Sequence, residues 1–154
     1  MRPALRLAAV ASCLALTACV TAPKPLQGEW GALTPQAAGD ADVGTGVRWG
    51  GRIVDVLPAE DRTCFDLIAQ PLAANASPDG SDISRGRFRA CRAGFYDPAI
   101  FQPNREVTFT GRIEGFDSVR VGEFSYRQPR VAADVVFLWP ERRDVDVVVE
   151  RVWW

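Results

Sequence analysis

The sequence predicts a mainly β protein, a small antiparallel β-barrel of the OB type with one short helix. From Val47 onward, runs rich in β-branched and aromatic residues alternate with turn residues, as in strands joined by short loops. No later stretch sustains a helical period beyond about two turns. The elements follow the order of a five-stranded OB barrel, in which a bent strand and a hairpin precede a short helix and further strands.

The first 19 residues are typical of a targeting segment. Arg2 and Arg6 precede an apolar stretch that is too short to span a bilayer. The sequence Leu16-Thr17-Ala18-Cys19 looks like the lipobox of bacterial lipoprotein precursors. It predicts a signal peptide over residues 1–18, cleavage before Cys19 and lipidation of that cysteine. The alternatives are an ordinary secretory signal with an incidental cysteine, or a buried N-terminal helix.

Residues 19–46 are expected to form the lipidated N-terminus and a flexible tether or loosely packed arm. Prolines and glycines are frequent there and apolar periodicity is weak. Position 20 is Val20 and not the aspartate of an inner-membrane retention signal. The expected location is therefore the outer membrane, with the protein lipid-anchored and facing the periplasm. The chain carries a formal net charge of −1, so we expect the acyl chains and not electrostatic attraction to hold the protein on the membrane.

The body of the protein is predicted as one barrel domain over residues 47–154. Its first strand, residues 47–57, contains Gly50-Gly51, which indicates the bulge or bend that the first strand of a barrel needs. The second and third strands are expected near residues 63–72 and 84–95, with a polar loop between them.

Cys64 and Cys91 are predicted to form a disulfide between the second and third strands, in a compartment that is oxidising enough for one. If they face each other in an antiparallel pair, Asp66 meets Arg89 on the same face. The opposite face is then apolar, with Phe65 opposite Ala90 and Leu67 opposite Phe88. Closing a loop of about 27 residues stabilises by about 3 kcal/mol on the chain-entropy model. The alternative is a free pair of thiols.

Beyond the third strand, the sequence predicts one short helix and then further strands. Asp97-Pro98 is typical of a helix start, and Pro103 is expected to stop the helix soon after. Strict alternation of polar and apolar residues over 106–114 predicts the clearest half-buried strand. The remaining strands are expected over residues 121–126, ended by Pro129, then over 131–139 and over 144–154.

Composition excludes several classes of function. The chain has no histidine, which removes Ser-His-Asp and Cys-His catalysis, histidine-ligated zinc and a histidine proton shuttle. Its 18 basic and 19 acidic residues give no dense basic footprint for nucleic acid. No glycine-rich phosphate loop follows a strand, and no cysteine cluster has metal-ligand spacing. We therefore expect no enzyme activity, no cofactor, no metal and no nucleic-acid partner.

A row of arginines on the third predicted strand is the candidate ligand-binding site. Arg85, Arg87 and Arg89 lie on one face of that strand. Guanidinium groups suit the carboxylates of an anionic glycan or of a protein partner. The alternative is a solvated barrel exterior that Asp66 partly neutralises.

Acidic and aromatic residues give weaker candidates. Glu60-Asp61 and the pair Asp144 and Asp146 have the residue type used in glycan hydrolysis, but neighbours in a loop or on an edge strand do not place two carboxyl groups on opposite sides of a bond. Four tryptophans are expected in the barrel core and its end plugs, with a sugar-stacking surface or a membrane interface as alternatives. They are Trp49, Trp139, Trp153 and Trp154.

Several segments, taken in order, resemble the Slp family of outer-membrane lipoproteins, the starvation-inducible type. With Leu16 to Cys19, the matching pieces are residues 47–53, 85–88, 94–101 and 105–108, then Gly111, then residues 122–126. The resemblance implies a small lipid-anchored envelope protein linked to stationary phase and stress, with no catalytic residues. Its expected role is that of a structural or interaction module for an unidentified envelope protein or cell-wall component. The alternative is a cell-wall glycan- or peptide-binding module that uses the arginine face.

Overall fold

The structure is a computed structural model, and it describes residues 20–142. Five strands dominate it: β1 (Gly46–Pro58), β2 (Arg62–Ala69), β3 (Arg87–Ala93), β4 (Glu106–Val121) and β5 (Phe124–Leu138). Two 3-10 turns, Lys24–Leu26 and Asp40–Asp42, precede them. The predicted signal peptide, Cys19, and the last predicted strand with Asp144, Asp146, Trp153 and Trp154 lie outside the described residues.

The five strands close into a barrel in the order β1-β2-β3-β5-β4, with β4 returning to β1. The predicted mainly β class and five-stranded barrel are confirmed. Four of the five strand pairs are antiparallel, as expected, and the β3–β5 pair is parallel. The predicted OB-like antiparallel barrel thus closes through a single parallel junction among the described strands. The β4–β5 hairpin is inserted between β3 and β1, so β5 runs in the same direction as β3.

The topology gives the barrel two distinct ends. β1, β3 and β5 finish and β2 and β4 begin at one end, which we call the lower end. The opposite end carries the turn between β4 and β5, and we call it the hairpin end. There, Gly122 takes the left-handed φ of 59° that suits the two-residue hairpin loop.

The core consists of interlocking aromatic rings inside the barrel. The ring of Phe65 lies 5.4 Å from that of Phe109, which lies 6.1 Å from that of Phe88. Trp49 contacts Phe88 edge-on at 5.4 Å. At the lower end, Tyr96 packs on Phe65 and helps to close the barrel. Such edge-on and tilted contacts are the favoured geometries of aromatic pairs.

The register of β2 and β3 is the predicted one. Cys64 pairs with Cys91, Asp66 with Arg89, and Leu67 with Phe88. The two cysteines form a disulfide across a sequence separation of 27 residues. The apolar partners on the other face of this hairpin are buried in the core. The predicted pairing of the two cysteines therefore assigned the residues of both faces correctly.

The glycines predicted to bend β1 lie where this strand pairs with two neighbours, and the irregularity in its register comes two residues later. Gly51 pairs with Ala69 of β2 on one side and with Val107 of β4 on the other. A Cβ atom at Gly51 would lie 1.9 Å from the carbonyl oxygen of Ile68, so a side chain cannot be accommodated without moving the backbone. A bulge follows between Ile53 and Asp55. These features allow β1 to pair with both β2 and β4, and this double pairing closes the barrel.

The short helix predicted after β3 is a single turn. The Asp97 carboxylate accepts a hydrogen bond from the Ala99 amide at 2.8 Å, as an N-cap does, and the Asp97 carbonyl accepts one from the Phe101 amide at 3.0 Å. The residue before Pro103 is disfavoured in the helical region, so the turn does not continue. No α-helix is present between residues 20 and 142, and none of the helical turns there could cross a membrane.

The hairpin of β4 and β5 is longer than the sequence indicated. Pro129 does not end a strand, and the two strands predicted on either side of it are the single strand β5. Pro129 pairs with Phe116 of β4, whereas the pairing of β5 with β3 starts only at Arg130. Proline is tolerated because β5 has a paired neighbour on only one side at this point.

Residues 20–46 form an arm that packs on the barrel, and this corrects the expectation of a flexible tether for this segment. Leu26 is fully buried. The Trp49 indole donates to the Leu33 carbonyl at 2.7 Å, and the Gln36 amide donates to the Arg85 carbonyl at 2.9 Å. Apolar contacts and backbone hydrogen bonds therefore hold a segment whose composition alone is typical of a loose linker.

Candidate binding groove

The three arginines of the predicted site lie in three different environments. Arg89 belongs to an ion-pair network on the barrel wall, Arg87 lines a groove, and Arg85 lines a separate cavity. The structure does not bring them together as one anion-binding row: β3 begins only at Arg87, and Gly86, with a φ of 100°, separates Arg85 from the alternation of the strand.

Arg89 is neutralised by carboxylates of two strands. Its Nε and Nη2 atoms donate to the two oxygens of Asp66 at 2.7 and 2.8 Å, a bidentate pair. Its Nη1 atom donates to Asp117 at 3.4 Å. The hydrogen bond with Asp66 raises the pKa of Arg89, against the opposing effect of burial. Arg89 thus holds the barrel wall together and has little capacity left for a ligand.

The same network continues across the β4–β5 hairpin. Arg130 donates to Glu114 at 2.6 Å and also pairs with Asp117. The hydrogen bond with Glu114 raises the pKa of Arg130. Buried Gln128 donates to Asp66 at 3.1 Å. These contacts surround the parallel β3–β5 junction, where only three residue pairs are in register.

Arg87 lies in a groove of about 750 Å³ between the arm and the outer part of the β4–β5 hairpin. Its guanidinium lies 5.7 Å from the centre of the Tyr126 ring. Arg127 lies across the groove, 4.0 Å from the centre of the Phe116 ring. Cations over aromatic faces are attracted to the ring electrons. The groove therefore combines flat apolar surfaces with two guanidinium groups.

The arm closes one side of this groove. Asp40 of the arm forms an ion pair with Arg127, and Pro35, Gln36 and Ala38 line the wall. Asp82 adds a carboxylate to the lining. The groove depends on both the arm and the hairpin, which are distant in sequence.

Arg85 lines a second cavity, of about 400 Å³, where the arm crosses the barrel. Trp30 and Trp49 form part of its wall. Two polar atoms among its lining residues, Gln70 Oε1 and Arg48 Nε, are buried without a hydrogen-bond partner among residues 20–142. Burial lowers the pKa of Arg48. This cavity is smaller than the groove at Arg87, and a larger part of its wall comes from the arm.

The remaining predicted candidates do not form a site. Glu60 and Asp61 lie exposed in the loop between β1 and β2. Trp139 follows β5 and donates to the Thr108 hydroxyl at 2.9 Å, so it plugs the barrel wall. Within the described part of the chain, no three metal-ligating side chains lie together.

Sequence reasoning missed Tyr126, Arg127 and Phe116. Their signal was the mixture of aromatic and basic residues on either side of the hairpin turn, next to the family-like segment 122–126. The expected break at Pro129 separated these residues from the barrel. The contact of Arg127 with Asp40 spans 87 positions, so no local pattern indicates it.

The fold and the groove define a small OB-type barrel domain with an N-terminal arm folded onto its wall. The chain belongs to the Slp family of outer membrane lipoproteins, whose match covers residues 16–154. That match includes the lipobox-like residues and the whole barrel. The protein is accordingly an outer-membrane lipoprotein.

Three curated proteins are similar in sequence to this chain. The chain is 33% identical over 121 residues to an uncharacterized lipoprotein, YeaY, of Escherichia coli, covering 74% of this chain and 61% of that protein. It is 29% identical over 104 residues to the outer membrane protein Slp of Escherichia coli, covering 68% and 55%. An uncharacterized protein of Haemophilus influenzae is 28% identical over 146 residues, covering 90% and 78%. The matches thus span less than two thirds of the two Escherichia coli relatives. No solved structure matches the chain.

Proposed function

We propose that this outer-membrane lipoprotein is an interaction module, anchored through lipidated Cys19, that binds an anionic cell-wall fragment in the groove at Arg87. The observation that carries the proposal is that the pair of Arg87 with Tyr126 and the pair of Arg127 with Phe116 line one groove. We propose no enzymatic activity for this site.

The chemistry of the groove suits a glycan that bears peptide carboxylates. Aromatic faces stack on the apolar faces of sugar rings, and guanidinium groups bind carboxylates in bidentate fashion. Arg87 is the better candidate for the carboxylate, because Arg127 is already paired with Asp40. Asp82 at the rim favours fragments that also present an amino group or hydroxyl groups.

The test is titration of the lipidated protein in detergent with soluble cell-wall fragments, followed by calorimetry. Arg87→Ala and Tyr126→Ala are each expected to weaken binding about tenfold, since each removes one strong contact. Arg120→Ala is the matched control. It removes the same charge from an exposed position on the same hairpin, and binding should not change. Unchanged affinity in Arg87→Ala would refute the groove as the site.

The anchor and the physiological role have separate tests. The intact mass of the membrane-purified protein should correspond to a chain that starts at Cys19 and carries acyl groups.

The resemblance to the starvation-inducible type supports a role in stationary phase. We therefore expect the protein level to rise when growth stops, measured by quantitative immunoblotting. A constant level would refute the stress-related part of the proposal.

A further inference from the structure

The lower end of the barrel carries the point at which the chain continues toward Cys19. Val20, the residue after Cys19, shares a surface groove with Trp139 and Pro140. These two residues follow the end of β5, so this side of the groove lies at the lower end, whereas its other side is formed by residues between Ala73 and Asp79 of the connection between β2 and β3. Cys19 is therefore covalently attached to a residue that already lies on the folded body.

The same end exposes apolar side chains that do not belong to the core. Phe95, directly after β3, is 72% exposed, and Ile100, in the connection to β4, is 55% exposed. Leu57, at the end of β1, is 38% exposed. Single exposed apolar residues are ordinary on protein surfaces. Here three of them come from separate segments of the lower end. The hairpin end exposes Val121, Phe124 and Tyr126 to a similar extent, so it is the position of Val20 that distinguishes the two ends.

One arginine links the anchor side of this end to its apolar side. Arg105 donates to the carbonyl oxygen of Ile100 at 3.3 Å and to that of Trp139 at 3.0 Å. Trp139 in turn shares the groove with Val20. The attachment point and the exposed apolar residues are thus parts of one connected surface.

We infer that the lower end lies on the surface of the bilayer that holds the acyl chains of Cys19, with Phe95 and Ile100 in its interfacial layer. The inference rests on the proposed lipidation of Cys19. Acyl chains hold the protein at the membrane, and the attachment next to the folded body keeps this end at a high local concentration there. Aromatic side chains favour the interface between headgroups and acyl chains.

The charges of the lower end indicate which lipid headgroups it can lie against. Glu60, Asp61 and Asp97 are exposed near Phe95, together with one exposed cation, Arg62, so the acidic groups are in excess. The Gly94 amide donates to the Asp61 carbonyl at 3.0 Å. Carboxylates are repelled by anionic headgroups. The surface that fits is therefore a zwitterionic lipid layer.

This orientation directs the hairpin end away from the membrane. The ladder from Val107 to Val121 is about 45 Å long at about 3.3 Å per residue. Phe124, beside the hairpin turn, is 70% exposed and lies at the far end of that ladder. The groove at Arg87 adjoins the outer part of the same hairpin, so it faces the periplasmic space where a cell-wall fragment is accessible.

The experiment uses the lipidated protein in vesicles of phosphatidylcholine and phosphatidylethanolamine, with or without a brominated lipid that quenches tryptophan near the interface. Phe95→Trp places a reporter at the lower end. Phe124→Trp is the matched control, because it is the same substitution at an equally exposed position at the hairpin end. Both variants keep the native tryptophans, so each is compared with the unsubstituted protein.

The brominated lipid should reduce the added fluorescence of Phe95→Trp by about half and leave that of Phe124→Trp unchanged, because only the former lies at interfacial depth. Equal quenching of the two variants, or quenching of Phe124→Trp alone, overturns the orientation. Intact mass and flotation with the vesicles are measured on the same samples. Protein without acyl mass that fails to float refutes the anchor and this orientation together. Floating, acylated protein with an unquenched Phe95→Trp refutes the orientation alone.

Discussion

The two halves of the β4–β5 hairpin share the same strands but have opposite surroundings. In the lower half, Phe109 and Ile113 are each only 1% exposed, and β1 pairs with β4 as far as Arg112. In the outer half, β4 pairs only with β5, and the contacts of this half with the rest of the protein include the ion pair of Asp117 with Arg89 and that of Arg127 with Asp40 of the arm. The comparison teaches that one hairpin combines a barrel wall with a projecting binding element, and that different forces stabilise the two.

The sharpest way to test this difference is to remove the same side chain from each half of β4. Phe109→Ala is expected to lower the free energy of unfolding by about 3–5 kcal/mol, because it leaves a cavity among packed aromatic rings. Phe116→Ala should cost only about 1 kcal/mol, because that ring is half-buried and borders the groove. Urea denaturation with intact disulfide measures both. Equal losses would mean that the outer half belongs to the core.

The lower half is also the part that the sequence predicts well. Alternation over residues 106–114 indicated β4, and the assumed pairing of Cys64 with Cys91 indicated the register of β2 and β3 elsewhere in the barrel. In β2 and β3, neighbouring residues on a strand do experience different environments. In β4, however, Thr108 and Thr110 of the polar set are buried as well, so the half-buried pattern expected there holds only from Arg112 to Glu114. A strand with one face in the core and one face outside can therefore be predicted from the alternation of residues in its sequence.

The outer half and the groove were not predictable in the same way. Pro129 looked like a break because the sequence does not reveal that β5 lacks a second neighbour there. Arg87 stays a predicted ligand-binding residue, but its grouping with Arg89 was wrong, because Arg89 is paired with Asp66 and with Asp117 of a strand distant in sequence. The arm was expected to be loose because its contacts, such as that of Asp40 with Arg127, are with residues far along the chain.

A second test concerns the covalent link in the barrel wall. Replacing Cys64 and Cys91 by alanine should lower the free energy of unfolding by about 3 kcal/mol on the chain-entropy model, given their separation of 27 residues. Amide exchange in the outer half of the hairpin should be unchanged, because it opens locally without unfolding the barrel. Faster exchange at Tyr126 under native conditions would show that the two halves are coupled.

A third test lies at the boundary between the halves. Arg89→Met should lower the free energy of unfolding by about 2 kcal/mol, because it leaves the Asp66 and Asp117 carboxylates without their shared partner. Their side chains are only 14% and 18% exposed, so water does not fully replace the arginine. Arg120→Met, at an exposed position, is the control and should change stability by under about 0.5 kcal/mol. Adding Asp66→Asn to Arg89→Met should recover part of the loss, and a purely additive double variant would contradict the network.

The smallest expected effect is at the contact between the arm and the outer half. Arg127→Ala should change the free energy of unfolding by under about 0.5 kcal/mol, because the side chains of Arg127 and Asp40 are 53% and 81% exposed. It should nevertheless release the arm locally. The Asp42 amide, which donates to the Gly39 carbonyl, is expected to exchange several times faster, whereas the Leu26 amide near the start of the arm should not change. High salt should produce the same acceleration in the unsubstituted protein, since it screens exposed pairs. A loss of stability well above this range would mean that the arm, like the lower half of the hairpin, is part of the barrel's cooperative core.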